Sequence, residues 1–84
     1  MFEPYNNLGS LYNSLQRYDD AVNYYKEAIQ KNKEFSHAHY NLGLVYITLG
    51  NFIDAQNHLK EAIKLNPNFA YAHRSLSRIT KYTT

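Results

Sequence analysis

Four histidines, two asparagines at matched positions and a row of three cations are the residues of this 84-residue chain whose types could serve a site. His37 and His39 are two apart, so a helix turns them to different sides. Neither they nor His58 and His73 form an i, i+4 pair or meet a carboxylate trio of the kind a tetrahedral metal site needs. They are expected to be structural, with no metal and no cofactor. Asn7 and Asn41 open two copies of one cluster, Asn-Leu-Gly-x-x-Tyr. A side-chain amide offers one acceptor and two donors. That suits gripping the backbone of an extended partner, and it suits equally a bond within the scaffold. Arg74, Arg78 and Lys81 follow i, i+4, i+7. They fit an acidic partner or a nucleic-acid backbone, or the solvated face of a helix whose Leu76 and Ile79 dock inward. No aromatic and basic alternation favours RNA stacking, so nucleic acid is not expected. Ser, His and Asp occur in no nucleophile-elbow or phosphate-loop context, and no catalytic residue is expected.

Composition narrows the class. Hydrophobic residues make up 44%, with nine Tyr and four Phe, which is globular rather than disordered. The absence of Cys excludes disulfides and cysteine zinc sites. A net charge of +2 is too small to drive binding to an anionic membrane. Met1 is followed by polar sequence without an apolar leader, and no apolar run nears the roughly 18 residues that span a bilayer. A cytoplasmic module with no membrane contact is the expectation.

The elements that must position these residues come from an internal repeat. Residues 2–35 and 36–69 agree at 14 of 34 positions, among them Asn7/Asn41, Leu8/Leu42, Gly9/Gly43, Tyr12/Tyr46, Ala21/Ala55 and Ala28/Ala62. A partial third copy, 70–82, keeps Ala72, His73 and Leu76 in register. A period of this length marks a solenoid whose units pack only on their neighbours. Each unit reads as two helices, near Tyr5–Leu15 and Tyr18–Lys31, then Ser36–Leu49 and a helix from Asn51. Gly50 breaks the third helix in the left-handed region, and Asn51 is placed to cap the fourth through its side chain. Asn66-Pro67-Asn68 closes the second unit. Lys33 stands where that proline would be, so the first junction is expected to be looser. Gly9 with Ala21, and Gly43 with Ala55, fall where paired helices cross, and small residues there allow close approach.

The pattern of aromatic-x-x-Leu-Gly-x-x-Tyr, then Ala, aromatic, Ala and Pro, resembles the tetratricopeptide repeat. Tyr5, Leu8, Gly9, Tyr12, Ala21, Tyr25 and Ala28 carry it in the first unit. His39, Leu42, Gly43, Tyr46, Ala55, Leu59, Ala62 and Pro67 carry it in the second. The resemblance implies an all-α, right-handed solenoid of antiparallel helix pairs, two repeats plus a capping helix. It implies a non-catalytic scaffold whose first helices line a concave groove for a peptide or a partner's helix. Position by position, that groove would take Glu3, Asn6, Asn7, Ser10 and Asn13, then His37, Tyr40, Asn41, Leu44, Ile47 and Thr48. The last helix would add Tyr71, Arg74, Ser75, Arg78 and Lys81. In repeat arrays of glycosyltransferases, asparagines at the Asn7 and Asn41 position form a ladder along the peptide backbone. The clamp by which some relatives hold a chaperone's C-terminal carboxylate maps to Asn6, Ser10, Asn41, Tyr71 and Ser75, which lack its cations, so that ligand is not expected. The stretch at 72–83 resembles the segment joining such arrays to a sulfotransferase-like domain in bacterial proteins. The alternative is thus an array fragment of a larger transferase, serving substrate presentation or spacing. A half repeat also leaves the last helix without a cover, a candidate edge for self-association.

Overall fold

The computed structural model describes residues 3–83, so Phe2, where the first unit is expected to begin, lies outside them. Among the described residues there are five α-helices and no strand: α1 (Glu3–Ser14), α2 (Tyr18–Lys31), α3 (Ser36–Thr48), α4 (Phe52–Leu65) and α5 (Ala70–Ile79), closed by a 3-10 turn, Thr80–Tyr82. The first helix starts two residues earlier than the periodicity predicts. Pro4 sits in its first turn, where a missing N–H costs nothing.

Both tight turns within the pairs use one device. Gly50, at φ 79°, donates to the Ile47 carbonyl, and the Asn51 N–H reaches back to Tyr46 O at 2.8 Å. Gln16 takes φ 61° at the matching position, and Arg17 N–H reaches Tyr12 O at 2.9 Å. This is the left-handed helix stop, built once with glycine and once with a residue that resists it. Asn51 stands at the N-cap of α4, but its side chain bonds no helix amide. The expected side-chain cap is therefore not formed, and the Asn51 backbone carbonyl accepts the Ala55 N–H at 3.0 Å.

The two junctions between pairs also match. Asn32 N–H bonds Ala28 O and Phe35 N–H bonds Asn32 O, as Asn66 does with Ala62 and Phe69 with Asn66. Where proline is absent, Asn32 Oδ1 accepts the Glu34 N–H at 3.1 Å. A side-chain turn thus stands in the first junction where the proline ring stands in the second.

Packing follows from small residues. Ala21, Ala28, Ala38, Ala55, Ala62 and Ala72 are fully buried. One cluster joins α1, α2 and α3 through Ala21, Tyr25, Leu42 and Val45, with Tyr12 and Tyr18 beside it. A second joins α4 and α5 through Ala55, Leu59, Ala62, Phe69, Ala72 and Ile79, and α3 packs on it with Tyr40, Tyr46 and Ile47. Tyr46 packs on both. The glycine partners differ from the expected crossing. A Cβ on Gly9 would stand 2.6 Å from the Tyr25 ring, whereas one on Gly43 would meet Leu59 at 3.0 Å and the Ala55 carbonyl at 3.4 Å. So Gly9 makes room for an aromatic ring of α2, not for Ala21.

α1 touches α3 and α3 touches α5, while no comparable contact joins α2 to α4. Helices that meet on one side and spread on the other curve toward the side where they meet. The inner layer is therefore α1, α3 and α5. On α5, Ile79 is buried, Leu76 packs on the α4 cluster, and Tyr82 stacks on Phe52 with centroids 4.7 Å apart. Of the large apolar side chains of α5, Tyr71 is the one left exposed. Tyr71 on α5 and Tyr82 on the closing turn stay exposed, at 63% and 55%, and are the large apolar side chains this end presents.

Two substitutions test this account by urea denaturation. Gly9→Ala is expected to destabilise by about 1–3 kcal/mol, because the buried Tyr25 ring cannot yield. Gln16→Gly is expected to stabilise by about 0.5–1 kcal/mol, since glycine relieves the left-handed strain at some entropic cost.

Candidate partner-binding face

The expected groove residues all lie on the inner-layer helices or the turn after α5, but they do not form one uniform surface. Asn7 is exposed. Asn41 is half-buried, and its Nδ2 donates to Asn6 Oδ1 at 3.2 Å, tying α3 to α1. That bond uses one of the donors of Asn41 and leaves its carbonyl oxygen and one N–H. Ser10 lies at the surface with its hydroxyl turned to Tyr25, the two oxygens 3.0 Å apart. Burial pushes the Tyr25 phenol pKa up, and the Ser10 hydrogen bond opposes the shift. The matching positions in the second unit are Leu44 and Leu59, so a hydrogen-bonded pair in one unit is an apolar pair in the next. Asn13 is half-buried, and Thr48 Oγ1 bonds back to Leu44 O at 3.2 Å. Ser75, which stands at the Asn7 and Asn41 position of the third copy and ends the ladder at two rungs, is buried. The Glu3 side chain lies outside what the structure describes.

Between α3 and α5 the inner layer becomes aromatic. Phe69 sits at the centre, 4.8 Å from the His37 ring and 4.9 Å from Tyr40. Tyr40 reaches Tyr71 at 6.5 Å, and the Arg74 guanidinium lies 5.5 Å over the Tyr71 ring. Tyr40 and Ile47 also pack on the core cluster, so they support the face as much as they form it. Tyr71 is 63% exposed, and Arg74 and Arg78 are exposed beside it.

Sequence reasoning missed a second constellation, on the opposite side. A cleft of about 420 Å³ opens between α2 and α4, lined by Ile29, Gln30, Lys33, His39, Asn57, His58 and Glu61. His39 and His58 meet there with Nδ1 atoms 3.2 Å apart. The ring centroids are 5.5 Å apart and the planes are within 28°. His39 Nε2 faces Lys33 O at 3.3 Å, and only an N–H can serve a carbonyl. Neutral His39 therefore accepts at Nδ1, and His58 donates its Nδ1–H. The Nε2 of His58 is left as an acceptor. Burial holds the His39 pKa below its ordinary value, against the Lys33 carbonyl and Glu61. Burial first and His39 second lower that of His58, with Lys26 adding and Asp54 and Glu61 opposing.

The repeat offset was the signal that could have found this pair. His39 and His58 occupy the positions of Tyr5 and Tyr24. Tyr24 stacks on Tyr12 as His58 stacks on Tyr46. His73, one period after His39, likewise bonds the carbonyl six residues back, Pro67 O at 2.8 Å. Among the described residues no three His, Asp or Glu side chains gather as a metal set, and no helix is long and apolar enough to cross a membrane.

The profile of the family described as Tetratricopeptide repeat matches residues 13–79. The chain belongs to the tetratricopeptide repeat family. Proteins with tetratricopeptide repeats generally act as scaffolds for protein interaction. The crystal structure of MamA is similar over 98% of this chain, with a TM-score of 0.95 and 28% identity. The match takes in 48% of the MamA chain, so the present chain spans about half the length of that neighbour. No curated protein matches the chain significantly. The all-α helix-pair solenoid expected of tetratricopeptide repeats is the fold observed.

The histidine pair makes stability depend on pH. The unfolded chain takes up protons near the ordinary histidine value of about 6.5, before the folded pair does. Stability is therefore fully present above about pH 6.5 and is lost as pH falls through the lowered folded-state values. Urea midpoints at pH 7.5 and 5.5 check this. His39→Tyr with His58→Tyr, which copies Tyr5 and Tyr24, should flatten the difference.

Proposed function

We propose that this chain is a non-catalytic scaffold that holds an extended peptide or a partner's helix against α1, α3 and α5. The units in this reading run 2–35 and 36–69, with 70–82 completing the row. The observation that carries it is the bonded amide pair Asn6–Asn41, beside exposed Asn7 and the Tyr40–Tyr71 rings. The amides keep donors and acceptors free for a partner's backbone, and the rings offer area at low entropic cost. Among the large exposed side chains of the inner layer, Tyr71 combines an apolar face with a polar tip, as interface residues do. Catalysis is assigned to no residue.

Selection from a library of extended peptides, followed by titration against the wild-type chain and an Asn7→Ala/Asn41→Ala variant, tests the reading. The variant should keep its helical circular dichroism and bind selected peptides roughly tenfold more weakly, about the loss of two modest hydrogen bonds. If no peptide is selected, or the variant binds as well as wild type, the reading is wrong.

A further inference from the structure

We propose that the segment this face accepts is acidic, with carboxylates at alternate positions that meet Arg74 and Arg78. The proposal rests on the peptide-binding reading above and names the partner's chemistry. Its first support is a segregation of charge. Of the seven acids, Asp19, Asp20 and Glu27 lie on α2 and Asp54 and Glu61 on α4, in the outer layer. Glu34 lies in the turn before α3, and Glu3 begins α1, at the other end of the inner layer. α3, α5 and the closing turn contain no Asp or Glu, while α5 and the turn carry Arg74, Arg78 and Lys81. One end of the inner layer is thus basic without a compensating acid, although the whole chain is nearly neutral at +2. Such a local field steers an oppositely charged segment and rejects a like one.

The second support is the state of the cations themselves. The ion pair found among the described residues is Arg17–Asp20, far along the chain from α5. Arg74 is held over the Tyr71 ring, and Tyr71 leads on to Tyr40 and Phe69. A guanidinium stacked on a ring keeps its in-plane N–H fork available for a carboxylate. Lys81 lies over Tyr82 at 5.1 Å in the same manner.

Spacing then selects the pattern. Arg74 and Arg78 are four residues apart on α5, a rise of about 6 Å. Residues i and i+2 of an extended peptide point the same way and lie about 6.6–6.8 Å apart. An acidic-x-acidic segment running along α5 would present one carboxylate to each arginine. A neighbouring apolar side chain would then rest on the Tyr40–Tyr71 ledge. A nucleic-acid backbone fits less well, since the basic row is three cations long and the exposed rings beside it, Tyr71 and Tyr82, are already covered by Arg74 and Lys81.

Fluorescence anisotropy of the 84-residue chain against four labelled probes tests this. The probes are a peptide with Glu at alternate positions, its Gln counterpart, its Lys counterpart and a single-stranded DNA oligonucleotide. The Glu peptide should bind at least about tenfold more tightly than the Gln peptide, with affinity falling as salt rises. Arg74→Glu/Arg78→Glu, checked for fold by circular dichroism, should lose that preference and favour the Lys peptide. Equal binding of Glu and Gln peptides, unchanged in the variant, would overturn the acidic assignment and leave the peptide face intact. Failure of every peptide would overturn both. Binding of the oligonucleotide alone would replace the peptide with nucleic acid.

Discussion

Everything in this fold depends on how closely the helices of a pair can approach. α1 lies against the Tyr25 ring at Gly9, and α3 against Leu59 and the Ala55 backbone at Gly43. Fully buried alanines hold the other contacts. Dense packing at these points compensates for the small core that a chain of this size can build. The layers are set by the contacts between pairs, where α1 meets α3 and α3 meets α5. The charged and amide residues on those helices consequently share one side.

The two units solve the same packing problem with different chemistry. In the first, Tyr25 fills the space at Gly9 and its hydroxyl finds Ser10. In the second, Leu59 fills the smaller space at Gly43, and Leu44 stands in place of the serine. A buried phenol needs a polar partner and an isobutyl group does not. The exchange of Tyr5 and Tyr24 for His39 and His58 follows a different logic. Tyr24 stacks on Tyr12 while Tyr5 lies under Lys31. His58 instead stacks on Tyr46 and also shares a hydrogen bond with His39, so the second unit carries a pair of histidines whose burial lowers their pKa. Its outer cleft is the place where that pair resides.

Much of the fold was legible in the chain. The 34-residue offset placed the helices within two residues of their ends, and Gly50 marked its turn through a positive φ. The candidate face was only partly legible. Ser10 reads as a groove residue by register, yet its hydroxyl serves Tyr25 across the pair. Asn41 reads as a rung equal to Asn7, yet its amide is drawn to Asn6 on the neighbouring helix. Register fixes which side of a helix a residue occupies, and it says nothing of which neighbour its polar atoms find.

The sequence by itself therefore determined the repeat, the helix pairs, the small residues at the crossings and the basic row on α5. These are local or periodic properties, written in spacing and residue size. Tertiary structure alone decided the left-handed turn at Gln16, the Asn6–Asn41 bond, the stacking of Arg74 on Tyr71 and the His39–His58 pair. Each joins groups that the chain keeps on separate elements or holds a residue in a conformation it resists. Their partners are set by the distance between packed helices, which no single stretch of sequence contains.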